Sequence, residues 1–299
     1  MTNSTKGTAM ILSATLIWGV GAVVLRSGME YMGPFTLTAA RFFLGALVTL
    51  LLSRLFKGIG HVENDGREKN SRKDMLKAGI ICGLVLCVGV IIRQFALLNT
   101  TVGRVSFMAS LFVIIVPIVG IFFGRAVRRN VWFAMALAVC GMYFLGFNGG
   151  LSMNTGDILA LICAFAITGH ILVLNHFSQN CDIMVLAYTQ AFVSSAIAFV
   201  LALIFEQPSF SQVADGIWHV LYTGILTSAV AQILLLRALK ITDPAVASIM
   251  LSTEAVFATT VSWLWLREIL STRELIGCAF LLTAVILSKI QFKRTQIKV

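Results

Sequence analysis

The sequence predicts an all-α polytopic membrane protein whose ten transmembrane helices form two inverted five-helix repeats. The first observation is composition: 58% of the 299 residues are hydrophobic and only 12% are charged, with a mean hydropathy of +0.92. Soluble domains carry about 25% charged residues, so a protein of this composition has too few charges to cover a surface that faces water and is suited to a lipid bilayer. The second observation is a series of ten apolar runs, and the third is an internal similarity between the two halves.

Ten apolar runs mark the predicted spans, because a transmembrane helix needs roughly 20 apolar residues. They lie at 8–29, 34–56, 76–98, 103–124, 131–147, 157–177, 183–205, 216–236, 244–266 and 275–290. Most connections between them are short. The exception, 57–75, is rich in charged residues and is interpreted as a solvated cytoplasmic loop.

The distribution of basic residues predicts the orientation. With the N-terminus inside and ten alternating spans, 17 of the 23 Lys and Arg residues fall on the cytoplasmic side. This bias follows the positive-inside rule. It predicts a multi-pass protein of the inner or plasma membrane with both termini in the cytoplasm. The net charge of +10 therefore has a topological explanation, and nucleic-acid binding is not expected.

The two halves, 1–149 and 150–299, share spaced residues at offsets between 142 and 150. An odd number of helices per half makes the second half enter the membrane from the opposite side, and such inverted repeats underlie alternating access in many secondary transporters. The matched positions are Gly19 with Gly169, 39–43 with 188–192, Thr100 with Thr242, and Ser106 with Ser248.

Short motifs in the same order resemble one known family. They are Leu16-Ile17-Trp18-Gly19, Ala40-Arg41-Phe42, 96–101, Val116-Pro117, 156–161, Glu254-Ala255-Val256-Phe257 and Leu266-Arg267-Glu268. The chain resembles the EamA-type members of the drug/metabolite transporter superfamily over nearly its whole length. The resemblance implies transport of small molecules, commonly amino acids or other metabolites and often outward. It does not fix the substrate. Many members have Glu-Pro where this chain has Glu254-Ala255, and many have an acidic residue where it runs 124–127.

Two ionisable residues lie at membrane depth, where an isolated charge is costly. Glu254 falls near the middle of the ninth span. It is a candidate partner for a substrate amine or a proton carrier, or else a structural hydrogen-bonding group. His170, just past the middle of the sixth span, is either a proton relay or an interhelical donor. If Glu254 is paired, a substrate amine or His170 is the expected partner.

Further polar residues are candidates for the lining of a central cavity. Arg41 and its repeat counterpart Gln190 are expected one near each mouth, with Arg41 either holding a substrate carboxylate or snorkelling to the interface. Arg93, Gln94 and Arg104 form either an electropositive outer vestibule or interfacial anchors. The remaining candidates are Trp18, Tyr188, Tyr222 and Gln232.

The function predicted from these features is secondary transport of a small metabolite. A membrane-embedded enzyme, a channel, and an assembly or receptor component are the alternatives. The sequence lacks Gly-x-Ser-x-Gly, His-Glu-x-x-His and filter-like glycine-rich loops. It also lacks a P-loop, so coupling is to an ion gradient, with the proton as candidate ion, or is absent. No cofactor, metal site or catalytic residue is predicted. The expected partners are a substrate and lipid, and the oligomeric state stays open.

Overall fold

The computed structural model describes residues 3–55, 71–122, 124, 127–146, 153–266 and 272–289, and all regular structure in these ranges is helical. A π-helical segment, Tyr222–Val230, interrupts the eighth predicted span. The α-helices are α1 (Asn3–Gly28), α2 (Pro34–Leu55), α3 (Arg72–Asn99), α4 (Val102–Ala109), α5 (Phe112–Phe122), α6 (Arg129–Gly146), α7 (Thr155–Ser178), α8 (Ile183–Phe205), α9 (Phe210–Asp215), α10 (Ile217–Leu221), α11 (Ala231–Ile241), α12 (Pro244–Leu251), α13 (Glu254–Leu266) and α14 (Thr272–Lys289).

Eight helical segments of the described chain are long and apolar enough to cross a membrane. They correspond to predicted spans one to four and six to nine, and their bounds are Thr5–Gly28, Pro34–Leu55, Arg72–Asn99, Val102–Phe122, Thr155–Ser178, Ile183–Phe205, Ile217–Ile241 and Pro244–Trp265. The fifth and tenth predicted spans are helices α6 and α14, which pack against each other but are not among these eight. The apolar part of α14 is short, Leu275–Ser288.

The third span begins earlier than its apolar pattern predicts. Helix α3 starts at Arg72 rather than at position 76, because Ser71 accepts a hydrogen bond from the Asp74 backbone N–H and caps the helix. The preceding predicted loop, 57–75, is therefore shorter at this end. Its residues 57–70 lie outside the described part of the chain, as do Arg267 and Glu268.

Helices from the two predicted halves interleave. Helix α2 packs on α8, α3 lies against α7 and α8, and α1 contacts α11 and α13. Glycines permit close approach, as is common between transmembrane helices. A Cβ at Gly83 would lie 2.8 Å from the Gln190 carbonyl oxygen, and one at Gly45 would lie 2.7 Å from the Ser228 Cβ. The core is thus shared between the halves.

Two spans are broken at corresponding positions. In the fourth span, α4 ends at Ala109 and α5 begins at Phe112. In the ninth, α12 ends at Leu251 and α13 begins at Glu254. The serines that follow the first half-helices, Ser110 and Ser252, are 142 positions apart, the same offset as Thr100 and Thr242. Irregular backbone at membrane depth is tolerated where it is buried in protein or lines a cavity, and both breaks border the cavity described below.

Gly19→Ala is expected to lower the free energy of unfolding by about 2 kcal/mol, the usual scale for overpacking. Its Cβ would lie 2.5 Å from the Phe257 Cβ and 2.9 Å from the Ala258 backbone nitrogen, and backbone cannot yield cheaply. The repeat counterpart is a matched control, because a Cβ at Gly169 would meet nothing closer than 3.7 Å. Gly169→Ala should be neutral or stabilising by up to about 1 kcal/mol. Equal losses in a mixed-micelle denaturation experiment would contradict the packing of α1 on α13.

Candidate functional site

A central cavity of about 150 Å³ lies between the two predicted halves. Helices α1 to α5 border it on one side, and α7, the π-helical segment and α11 to α13 on the other. Six of the eight predicted site residues line it: Trp18, Arg41, Gln94, His170, Gln232 and Glu254. Arg93 also lines it, so the polar groups converge on one space.

Arg41 places a guanidinium in the cavity wall without a carboxylate partner. The residue is only 6% exposed, so it is buried instead of reaching the lipid interface. Its Nη1 donates to the Ser228 Oγ at 3.4 Å, and its guanidinium carbon lies 4.3 Å from the centre of the Phe42 ring. Among the described residues no carboxylate lies within ion-pairing distance of it, and its Nε has no hydrogen-bond partner. Such a group is receptive to an anion.

Glu254 pairs with Arg93, whose Nη2 donates to the Glu254 Oε1. This corrects the expectation that His170 would be a protein partner of Glu254, because the His170 side chain bonds Gln190 instead. Arg93 lines the central cavity, so it is neither an interfacial anchor nor part of a vestibule with Arg104, and α3 continues beyond it to Asn99. Six residues of helix place Arg93 roughly 9 Å inside that end. Glu254 opens α13, where a carboxylate also stabilises the free N–H groups of a helix start.

His170 and Gln190 bond to each other and join α7 to α8. The His170 Nε2 lies 3.1 Å from the Gln190 Oε1, and both residues are buried. The sequence predicts that Gln190 faces the cavity, but the structure does not place it in the lining. The reason is that the Gln190 side chain is held by His170, while its backbone packs against Gly83 on α3. Tyr188 is half-buried and is also absent from the lining.

Gln94, Gln232 and Trp18 have distinct roles in the wall. The Gln94 Oε1 accepts a hydrogen bond from Thr38 at 2.6 Å, which leaves its Nε2 without a partner. The Gln232 Nε2 is likewise buried and without a partner. Trp18 donates from its Nε1 to the Thr227 carbonyl oxygen at 3.0 Å. Trp18 therefore ties α1 to the π-helical segment, which also carries Ser228, the hydrogen-bond partner of Arg41.

Arg104 is not in the cavity lining but in a polar network that joins the two predicted halves. Its Nη2 is 2.6 Å from the Asp157 Oδ2, and Asp157 is fully buried. Asp157 also forms a capping box with Asn154, as its position at a helix start predicts. The Thr100 Oγ1 donates to the Asp157 Oδ1 at 3.2 Å. Arg104 thus forms a structural ion pair with Asp157 and does not line a vestibule.

Two cavity-lining groups have little signature in the sequence. Ser106 takes part in the repeat match with Ser248, but nothing in that match indicates chemistry. Ser228 has no motif, and its importance comes from the π-helical segment that presents it to Arg41. π-helical turns often occur at functional sites.

Comparison with known proteins identifies the family. The model of the EamA-like transporter family matches the chain twice, over residues 5–147 and 154–290. The chain belongs to the EamA-like transporter family. An uncharacterized transporter of Archaeoglobus fulgidus is 29% identical over 275 residues, covering 91% of this chain and 82% of that protein. The uncharacterized transporter YoaV of Bacillus subtilis is 24% identical over 296 residues, covering 96% and 98%.

A solved crystal structure shares the fold of this EamA-like protein. The TM-score is 0.75 at 19% identity, covering 94% of this chain and 97% of the other. At that identity the likeness supports the fold alone. The family and the relatives together establish a multi-pass membrane protein of a transporter family within the drug/metabolite transporter superfamily.

Proposed function

We propose that this EamA-like protein is a secondary transporter that moves a small metabolite, an amino acid or a related carboxylate, across the cytoplasmic membrane by alternating access. One observation carries the proposal. The buried Arg41 guanidinium has no carboxylate partner in the described structure and borders a cavity between the two predicted halves. A buried unpaired charge is costly, so a substrate carboxylate supplies what the site lacks.

Alternating access rests on the proposed architecture of ten spans in two inverted repeats, 1–149 and 150–299. The family model matches once in each half. The helix breaks at Ser110 and Ser252 share the repeat offset, and discontinuous helices at corresponding positions are typical of substrate sites in such folds. Helices α2 and α8, which are predicted counterparts, pack directly on each other. Both termini are proposed to lie in the cytoplasm.

The proposed direction of transport rests on the family resemblance, and the proposed coupling ion rests on the chemistry of Glu254. Outward movement is proposed because EamA-type proteins commonly export metabolites. A proton is the proposed coupling ion, with Glu254 as its carrier, since Glu254 is a carboxylate in the cavity wall and its ion pair with Arg93 can break when the cavity changes shape.

An exchange experiment tests the transport function before any substrate has been identified. Proteoliposomes are loaded with a ¹³C-labelled bacterial metabolite extract and placed in the same extract without label. Mass spectrometry then detects which labelled compounds leave. We expect one or a few carboxylate-bearing compounds to leave faster than from protein-free liposomes. A membrane-embedded enzyme or an assembly component would give identical efflux from both, and that result would reject transport.

A further inference from the structure

Residues that line the cavity carry hydrogen-bond donors that lack partners. Four buried side-chain nitrogens of the lining have no partner among the described residues: Arg41 Nε, Arg93 Nε, Gln94 Nε2 and Gln232 Nε2. All four are N–H donors that cannot accept. The Ser106 hydroxyl is also unpartnered and can act either way. Gln94 is 1% and Gln232 7% exposed, and all four nitrogens are covered by neighbouring atoms, so a ligand reaches them only when these side chains rotate toward the cavity.

Several acceptors in the same wall already receive a hydrogen bond. Glu254 holds the Arg93 guanidinium, and the Gln94 Oε1 accepts from Thr38. The Thr227 carbonyl oxygen accepts from Trp18. An incoming ammonium group would have to share the Glu254 carboxylate with Arg93, and the guanidinium groups of Arg41 and Arg93 in the same wall would repel its positive charge. The wall therefore favours a ligand that accepts hydrogen bonds over one that donates them.

The net charge and the volume of the cavity also favour a small anion. With Arg41, Arg93 and Glu254 ionised and His170 neutral, the described lining carries one net positive charge. A cavity of about 150 Å³ has the volume of an engineered cavity that binds benzene. A ligand of roughly six to ten non-hydrogen atoms is the size that such a space suits.

We propose that the cavity selects small organic anions without an amino group, namely hydroxy or plain carboxylic acids of three to four carbons. One carboxylate binds Arg41, and further oxygens accept from the Gln94 and Gln232 amides. This rests on the proposed transport function and narrows its substrate class, because the ammonium group of an amino acid would meet a wall with a net positive charge.

Matched ligand pairs test the selection. Lactate and alanine share a carbon skeleton, as do malate and aspartate, and each pair differs by a hydroxyl in place of an ammonium group. Thermal unfolding of the full-length protein in detergent is followed against the concentration of each compound. We expect lactate or malate to raise the unfolding temperature, with a half-saturating concentration roughly tenfold below that of its amino analogue.

Variants test whether the rise in unfolding temperature comes from binding in the cavity. Arg41→Gln should weaken the response to the hydroxy acid by roughly tenfold or more. Arg129→Gln, which removes an exposed guanidinium at the start of α6, should leave the response unchanged. Should Arg41→Gln itself unfold, Gln232→Leu removes one free donor and keeps the charge, and its response should fall several-fold.

Three results would overturn the inference: stronger protection by alanine or aspartate, an unchanged response in both cavity variants, or no response to any of the four acids. The exchange experiment remains independent. If other metabolites leave the proteoliposomes and none of the four acids binds, the proposed selectivity is wrong but the proposed transport function is not. If hydroxy acids bind but no labelled compound leaves, the proposed transport function is wrong and the proposed binding site is still supported.

Discussion

Arg93→Gln is expected to lower the free energy of unfolding by about 3 kcal/mol, the lower end of the range for breaking a buried ion pair. Arg93 and Glu254 are 21% and 13% exposed, so water screens the pair only partly. Glutamine at position 93 is shorter than arginine and carries no charge to pair with Glu254. The Glu254 carboxylate is then left in the cavity wall without its guanidinium. Reversible denaturation in mixed micelles measures the loss.

The double variant Arg93→Gln/Glu254→Gln is the matched control. It removes both charges, so it should recover a large part of the stability lost in Arg93→Gln. If the double variant is as unstable as the sum of the two single variants, the two side chains do not interact, and the assignment of the ion pair is wrong.

Glu254→Gln is expected to fold and insert but to lose transport. Glutamine has the shape of glutamate, and its carbonyl oxygen can still accept from Arg93. The net charge of the lining rises by one unit, so an anion should be held more tightly and released more slowly. We expect the exchange rate to fall roughly tenfold or more. The part of any pH dependence between about pH 5 and pH 8 that Glu254 causes should disappear, because the only described carboxylate of the lining is gone.

Glu30→Gln is the comparison for this variant, since Glu30 is an exposed acid beyond the end of α1. It should transport like the unmodified protein. Unchanged rates and unchanged pH dependence in Glu254→Gln, at equal expression, would show that Glu254 is only structural.

The apolar runs predict the helices well because the bilayer forces backbone groups to be satisfied within each span. The seventh run, 183–205, coincides with α8 (Ile183–Phe205). Asp182 accepts from the first turn of that helix, and the helix ends before Glu206. Glu206 instead accepts from the Phe35 and Thr36 backbone N–H groups at 2.8 Å and caps α2. Polar residues at the ends thus make these boundaries visible in the sequence.

The face that each helix turns inward is not predictable in the same way. Lipid-facing and core-facing surfaces are both apolar in a membrane protein, so periodicity carries little information about direction. Depth alone places Glu254 near the midplane. It does not show that Arg93 is its partner, or that Gln190 packs toward α3 while Arg41 faces the cavity.

The breaks and the π-helical segment have no clear signal either. The lack of a proline after Glu254 suggests altered flexibility there, yet the span breaks at Ser252 and Thr253 without one. The Ser252 Oγ donates to the Ile249 carbonyl oxygen at 2.6 Å, a local bond that competes with regular helix. In the π-helical segment, Gly224 allows α2 to approach closely, since a Cβ there would lie 3.0 Å from the Arg41 carbonyl oxygen. Tertiary packing decides these features.

We propose that a substrate carboxylate binds Arg41 as it crosses the membrane. One exchange rate tests this most directly. Proteoliposomes containing the unmodified protein, Arg41→Gln, or the charge-conserving Arg41→Lys are loaded with the labelled carboxylate that the unmodified protein releases fastest. We predict that the rate of Arg41→Gln falls roughly a hundredfold, toward the protein-free rate. Arg41→Lys should keep an intermediate rate, because lysine retains the charge but not the bidentate geometry. Exchange by Arg41→Gln at the unmodified rate, with equal protein in the membrane, would contradict a role for Arg41 in carrying the substrate.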